Sequence, residues 1–237
     1  MTVIWHDLEC GGYVEDLPLW RALAAEHGDP VLDVGAGTGR TALDLARHGH
    51  AVTALDHDPA LVAELRRRAS GIELVPVLAD AREFDLGRRF ALCVVPMQTI
   101  QLLGGPSGRG GFLRCARRHL RAGGMLAIAL TDEVEEYEVP PGSPAPLPDI
   151  CERDGVVYSS QPTAVRVDAD GFMLERRRET VSADGQLSAL DDAIRLDRLD
   201  AETLEREASD AGLTPAGRAL VAPSTDYVGS VVVMLSA

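Results

Sequence analysis

Asp33, Asp56 and Asp80 each stand at the end of a short apolar run, and the first is followed at once by Gly35-Ala36-Gly37-Thr38-Gly39-Arg40. Glycine is needed where the backbone takes positive φ or where a ligand comes closer than a Cβ permits. Three glycines at alternate positions, between an apolar run and the amphipathic residues 41–47, read as strand, tight turn and helix start. The free N–H groups of such a helix start face a ligand, so this is a nucleotide cradle. Its spacing is G-x-G-x-G, whereas dinucleotide sites use G-x-G-x-x-G. Asp33, two residues ahead of the first glycine, is badly placed for a pyrophosphate and well placed for an ammonium group. Asp56, closing the run 51–55, suits both hydroxyls of a ribose. Asp80, after the run 74–78, suits the amino group of an adenine. A ligand answering to all three carries an amine, a ribose and an adenine.

The elements that must hold these acids follow from periodicity. Residues 15–27 place Leu17, Trp20, Leu23 and Ala24 at helical spacing, with Pro18 tolerable in the first turn, and so predict a helix leading into the first strand. Strands and helices then alternate up to Thr131, the pattern of a doubly wound parallel sheet, whose ligands bind beyond the carboxyl ends of the strands. After the fifth strand the pattern changes. Residues 132–138 are acidic, and five prolines within residues 140–148 predict a loop or lid hinge. Short strands are expected over 156–159, 164–167, 172–180 and 193–199, with Asp170-Gly171 and Asp184-Gly185 as hairpin turns. A helix over 201–211, N-capped by Asp200, and strands near 216–222 and 228–235 complete the main sheet.

In its motifs the chain resembles the class I S-adenosylmethionine-dependent methyltransferases. VLDVGAGTGR corresponds to that family's first motif, ALDHD to the acidic loop after its second strand, LADAREF to the loop after its third, and residues 90–96 to its fourth strand. Residues 120–128 look like the family's L-x-x-G-G turn into the fifth. The resemblance is close over residues 30–131 and looser over 200–236. It implies a Rossmann-like, doubly wound, mostly parallel seven-stranded α/β sheet, with an antiparallel β cap inserted after the fifth strand. The cap resembles that of glycine and sugar N-methyltransferases. Four parts are expected: a lid and leading helix (1–29), a cofactor-binding core (30–132), the cap (133–199) and C-terminal elements completing the sheet (200–237).

The resemblance further implies S-adenosyl-L-methionine as cofactor, held by Tyr13, Asp33, Gly35, Ala36, Gly37, Gly39, Arg40, Asp56, His57, Ala79, Asp80, Ala81, Pro96, Met97 and Gln101. Methyl transfer is an in-line displacement that needs little beyond holding the acceptor at attack distance in a dry pocket, and a base only where the acceptor arrives protonated. Candidates are His6, Glu9, Tyr13, His57, Gln98, Gln101, Asp132, Glu133, Tyr137 and Tyr227, of which Tyr13 and Gln101 weigh most. Tyr13 holds a position where related enzymes touch the cofactor, and Gln101 lies on the loop after the fourth strand. Against these stand a packing role for Tyr13 and a helix-start role for Gln101. His57, ahead of Asp58-Pro59, reads as part of a surface turn before a helix.

Composition narrows the partners. The formal net charge is −14, and nucleic-acid binding would require the few cations to gather on one face. Arg66-Arg67-Arg68 reads as a solvated helix end, and Arg176-Arg177-Arg178 lies in a strand-like stretch where alternate arginines face opposite sides, with a carboxylate or phosphate clamp as the second reading. No N-P-P-Y-like sequence follows the fourth strand, where Val95-Pro96-Met97-Gln98 stands. A small-molecule methyl acceptor is therefore expected, with no nucleic acid, no membrane and no metal, in a monomer or homodimer. Cys10, Cys93, Cys115 and Cys151 form no C-x-x-C pair, which points to reduced thiols and a cytoplasmic protein. The alternative is a protein that binds the cofactor without transferring methyl, as a sensing module or through the electrostatics of the sulfonium; a dehydrogenase is a third reading.

Overall fold

A computed structural model describes residues 2–132, 134–140, 142–143, 146–225 and 227–237. The chain falls into two compact units, residues 13–132 with 199–237, and residues 1–12 with 133–198.

The larger unit holds the first five strands, β1 (Val31–Val34), β2 (Val52–Asp56), β3 (Leu74–Leu78), β4 (Phe90–Val95) and β5 (Leu120–Leu130). Between them run α3 (Arg40–Arg47), α4 (Pro59–Arg68), a short 3-10 helix (Thr99–Leu102) and α5 (Gly105–His119), with α2 (Leu17–His27) ahead of β1. Near the C-terminus, α6 (Ala201–Asp210) is N-capped by Asp200, whose side chain accepts from the Thr203 N–H. Two further strands, Thr214–Val221 and Ser230–Ser236, complete the unit; they are numbered β11 and β12 because five cap strands precede them in the chain. The sheet order is β11-β12-β5-β4-β1-β2-β3, parallel except for β12 against β5 and β11 against β12.

Side chains alternate across a strand, and both faces of this sheet are covered. Leu32 and Val34 of β1 pack with Phe112, Leu113, Leu204 and Ala208, the α5 and α6 side. Val31 packs with Trp20, Leu23, Ala42 and Leu45, the α2 and α3 side. Asp33 shares the parity of Val31, so a carboxylate occupies a place where alternation calls for an apolar residue. The sequence contains no clear signal for α5. Gly105, Gly108, Gly110 and Gly111 weaken its helical pattern, yet a Cβ on Gly108 would fall 1.7 Å from the Leu103 carbonyl oxygen and one on Gly111 2.9 Å from that of Arg82. The glycines let this helix approach its neighbours closely.

The smaller unit is antiparallel. It contains β6 (Tyr137–Glu138), β7 (Asp149–Arg153), β8 (Val156–Val167), β9 (Gly171–Val181) and β10 (Leu187–Asp197), in the order β10-β9-β8-β6 with β7 also on β8. Two expected short strands are one continuous β8, because a register shift between Pro162 and Ala164 accommodates the proline without ending the ladder. β10 starts six residues earlier than expected, and β6 and β7 are further strands that the proline-rich composition hid. The N-terminal segment, expected as a loop or short helix, is α1 (Thr2–Cys10), and it belongs with this unit. Trp5 meets Tyr158 edge-on at 5.6 Å, Arg178 lies over the Trp5 ring at 5.5 Å, and both Glu9 oxygens accept from the Arg178 guanidinium at 2.7 Å. Among the described residues no helix is long and apolar enough to cross a membrane.

Candidate functional site

Parallel register brings the sequence-predicted acids together. Asp33 lies opposite Ala54 and Val94, and Asp56 opposite Leu78, so Asp33, Asp56 and the loop carrying Asp80 share the carboxyl edge of β1, β2 and β3. The sheet order reverses between β1 and β4, which makes this edge the switch point where ligands of such folds bind.

The glycine turn is built as the spacing predicts. Gly35, Gly37 and Gly39 have φ of 73°, 55° and 100°. The N–H groups of Gly35 and Ala36 both donate to the Leu55 carbonyl, at 2.9 and 3.0 Å. Gly39 caps α3 in the left-handed region and has no side chain to satisfy the first-turn donors. A Cβ on Gly35 would lie 2.4 Å from Thr99 Cγ2, so the turn packs against the start of the 3-10 helix. Gly35→Ala is expected to lower stability by about 1–2 kcal/mol from its left-handed backbone alone, plus the Thr99 contact. In urea denaturation, Gly35→Ala/Thr99→Ala should recover only the contact part.

The three acids differ in how they are engaged. Asp56 Oδ2 accepts from the Gly37 N–H at 2.8 Å and Oδ1 from the Asp58 N–H at 2.9 Å, which pins the glycine turn to β2 and leaves lone pairs on both oxygens. Asp80 is gripped by Arg82 through Nε and Nη2, and this pairing with the Arg82 N–H holds its carboxyl at about 2. An adenine amine reaching Asp80 must therefore share it with Arg82. Asp33 is wholly buried, and neither oxygen has a well-formed hydrogen bond; the Ala42 N–H only approaches it. Burial pushes its pKa up to about 7; Arg40 opposes that rise, and Asp56 and Asp16 add to it. A buried carboxylate without a well-formed hydrogen bond is costly unless something fills the position.

Around the turn sits a constellation that sequence reasoning missed. Asp16, buried and N-terminal to α2, takes Arg40 Nη1 and Nη2 at 2.5 and 2.7 Å and the Trp20 indole N–H at 2.8 Å. Arg40 also donates to the Tyr13 carbonyl at 2.9 Å and lies 5.0 Å from the centre of the Tyr13 ring. Tyr13 packs at 4.9 Å on Tyr227 and is 4% exposed. Its hydroxyl approaches Ser230 without a well-formed hydrogen bond, and burial, with Asp16 nearby, pushes its pKa up to about 12. Asp16 carried no signal beyond an acid four residues before a tryptophan.

Gln101 is also buried, and its amide spans the Thr131 backbone, donating to the carbonyl and accepting from the N–H, both at 2.9 Å. Those contacts tie the 3-10 helix to the end of β5. Pro96, Met97 and Gln98 form the loop after β4, and Met97 has φ of 56°, a strained value for a non-glycine residue at a strand end. Ala79 donates its N–H to the Asp56 carbonyl at 3.0 Å, and Ala81 is buried beside Asp80. His57 is 84% exposed, and Asp58 beside it caps α4 by accepting from Ala60 and Leu61, as the surface-turn reading expects. Asp132 is exposed just after β5.

His6, Glu9 and Tyr137 lie in the smaller unit, and Glu133 lies outside the described residues. Burial works against the charge of Glu9, but Arg178, Ser160 and Arg176 outweigh it and hold the carboxyl below its ordinary value. This corrects the anion-clamp reading of the second arginine run. Arg176 is paired with Asp149, Arg178 with Glu9 and Asp192, and Arg177 with Glu179, so the three guanidinium groups already have carboxylates. Arg67 and Arg68 of the first run pair with Glu64 at the end of α4.

Residues 31–124 match the family described as a methyltransferase domain. A demethylmenaquinone methyltransferase of Beutenbergia cavernae is 32% identical over 131 residues, which is 53% of this chain and 50% of that protein. The chain thus spans about half the length of the first curated relatives it matches. Among solved structures, the CcbJ methyltransferase from Streptomyces caelestis aligns with a TM-score of 0.70 and 22% identity, covering 96% of this chain and 97% of that one. S-adenosylmethionine-bound CalS10 from Micromonospora echinaspora, an amino pentose methyltransferase, aligns with a TM-score of 0.71 and 21% identity, covering 99% and 97%. Residues 31–124 are thus similar to a methyltransferase domain, and the fold of the chain is that of these solved methyltransferases.

Proposed function

We propose that this chain transfers the methyl group of S-adenosylmethionine to a nitrogen or oxygen atom of a small-molecule metabolite. The likeness to solved small-molecule methyltransferases over nearly the whole chain, antiparallel unit included, carries the acceptor class. The residues present fit the cofactor on a separate observation, the buried carboxylate of Asp33, without a well-formed hydrogen bond, beside a turn of left-handed glycines.

Asp33 would take the ammonium group, the free lone pairs of Asp56 the ribose hydroxyls, and Asp80 with Ala79 and Ala81 the adenine. Gly35, Ala36, Gly37, Gly39 and Arg40 would form the wall of the cradle, with Tyr13, His57, Pro96 and Met97 at its borders. Bound there, the cofactor supplies an electrophilic methyl group. The chain's own work is then to orient and to exclude water. Arg40 has the central positioning role, because one guanidinium holds Asp16, the Tyr13 carbonyl and the Tyr13 ring around the turn. Gln101 acts through Thr131 as a brace between the 3-10 helix and β5.

Calorimetry with S-adenosylmethionine, S-adenosylhomocysteine and NAD tests the cofactor. Micromolar binding of the first two and none of NAD is expected. Turnover is then read as S-adenosylhomocysteine released with a panel of amino sugars, phenols and carboxylic acids. Tight cofactor binding with no product from any acceptor would favour a binding-only protein.

A further inference from the structure

We propose that Asp16 is a positioning residue of the cofactor site: by holding both Nη groups of Arg40 it keeps that guanidinium from pairing with Asp33, and so keeps the ammonium position open. This role rests on the reading of Asp33 as the partner of the cofactor's ammonium group.

A carboxylate and a cation that could neutralise each other stand on the same side of the sheet. Asp33 has the parity of Val31, which packs with Ala42 of α3 and Trp20 of α2. The Ala42 N–H approaches Asp33 from the first turn of α3, and Arg40 opens that same turn. After burial itself, the charge acting most on Asp33 is that of Arg40, followed by Asp56 at the end of β2 and Asp16 at the start of α2. From β4 the neighbouring titratable group is the Cys93 thiol, which burial and Asp33 push up. A buried carboxylate draws a nearby guanidinium strongly, because pairing replaces the hydration that both have lost.

Asp16 is what withholds Arg40. Its two oxygens accept from Nη1 and Nη2 at 2.5 and 2.7 Å, the two-pronged geometry that holds a guanidinium most firmly. The acid is itself fixed, being buried and accepting the Trp20 indole N–H at 2.8 Å. Its side chain makes no capping hydrogen bond to α2, although it stands at the N-cap position, so the helix start does not account for the charge. One acid thus satisfies the cation while a second acid, deeper in the same place, is left without a well-formed hydrogen bond. Such an arrangement costs folding stability, and a cation supplied by a ligand completes it.

Asp16→Asn tests this, since it keeps the shape and an acceptor for Trp20 but gives up the charge that holds Arg40. Affinity for S-adenosylhomocysteine, read by calorimetry, should fall at least about tenfold. Affinity for the analogue lacking the α-amino group should not change. In an Arg40→Gln background Asp16→Asn should cost nothing further, because no guanidinium is left to occupy Asp33. Urea unfolding without ligand gives a separate readout. Between about pH 5 and about pH 8, above the ordinary carboxylate range, an unpaired Asp33 loses stability as it ionises, whereas one paired with Arg40 does not. Asp16→Asn should therefore gain stability relative to wild type as pH rises through that window. Equal weakening of both ligands, the same loss in the Arg40→Gln background, or a stability difference that does not change with pH would each overturn the proposal. A wild type that binds no S-adenosylhomocysteine would instead remove the cofactor reading, and the urea result alone would then decide whether Asp16 holds Arg40 off Asp33.

Discussion

Replacing Asp33 by asparagine is expected to flatten the pH dependence of folding and to weaken cofactor binding at the same time. The Asp33 carboxyl sits at about 7 in the folded chain against an ordinary 3.8. The folded state therefore binds the proton more tightly than the unfolded state, and stability falls as pH rises from about 4 through about 7. A shift of this size corresponds to about 4 kcal/mol, absent at pH 4 and fully expressed at pH 8. Asparagine removes the titration. Any fixed cost of burying its amide is the same at both pH values. The stability of the variant minus that of the wild type should thus be about 4 kcal/mol more favourable at pH 8 than at pH 4, read from urea unfolding across the range. Affinity for S-adenosylhomocysteine at pH 8 should drop at least tenfold, a factor equal to about 1.4 kcal/mol. A pH-independent difference between the two proteins would show that Asp33 is solvated or already paired. With the expected pH dependence, the stability lost at the site is the counterpart of binding function, the usual trade in a preorganised pocket.

Asp56→Ala is expected to weaken cofactor binding about 10- to 150-fold, equivalent to about 1.5–3 kcal/mol for a charged hydrogen-bond acceptor. Two losses combine. The ribose loses its acceptor, and the Gly37 and Asp58 N–H groups lose theirs, which frees the turn that shapes the cradle. A thermodynamic cycle separates them. With a cofactor analogue lacking the 2′ and 3′ hydroxyls, the ribose part of the penalty should vanish and only the loosened turn should remain. An equal penalty with both ligands would remove the ribose role and leave Asp56 as a brace alone. The same calorimetry on Arg82→Ala shows whether freeing Asp80 strengthens binding.

The cradle was legible because it is local. Gly35, Gly37 and Gly39 take positive φ as their spacing implies, and the ends of β1, β2 and β3 fall where the apolar runs stop. Such features depend on residues within a few positions of one another. Elements whose signal is non-local were read less well. Four glycines obscured α5, whose closeness to Leu103 and Arg82 explains them. Pro162 split β8 in the sequence reading, whereas a register shift against β9 carries the strand through it. The second arginine run looked free until β10, α1 and β7 brought carboxylates to it. Gln101 looked like a residue facing the reaction, and its amide turns instead to Thr131, thirty residues away.

By itself the sequence determined where the candidate ligand site lies. Three acids and a G-x-G-x-G turn stand at strand ends, and these were readable because strand ends and turn geometry follow from short-range pattern. Only the tertiary structure decided the state of each acid. Asp56 is spent partly on the turn, Asp80 is held by Arg82, and Asp33 is buried on the α2 and α3 side without a well-formed hydrogen bond. Protonation and readiness to bind depend on burial and on charges brought near through space, and Asp16, Arg40 and Asp56 reach Asp33 only once the sheet and its covering helices have formed.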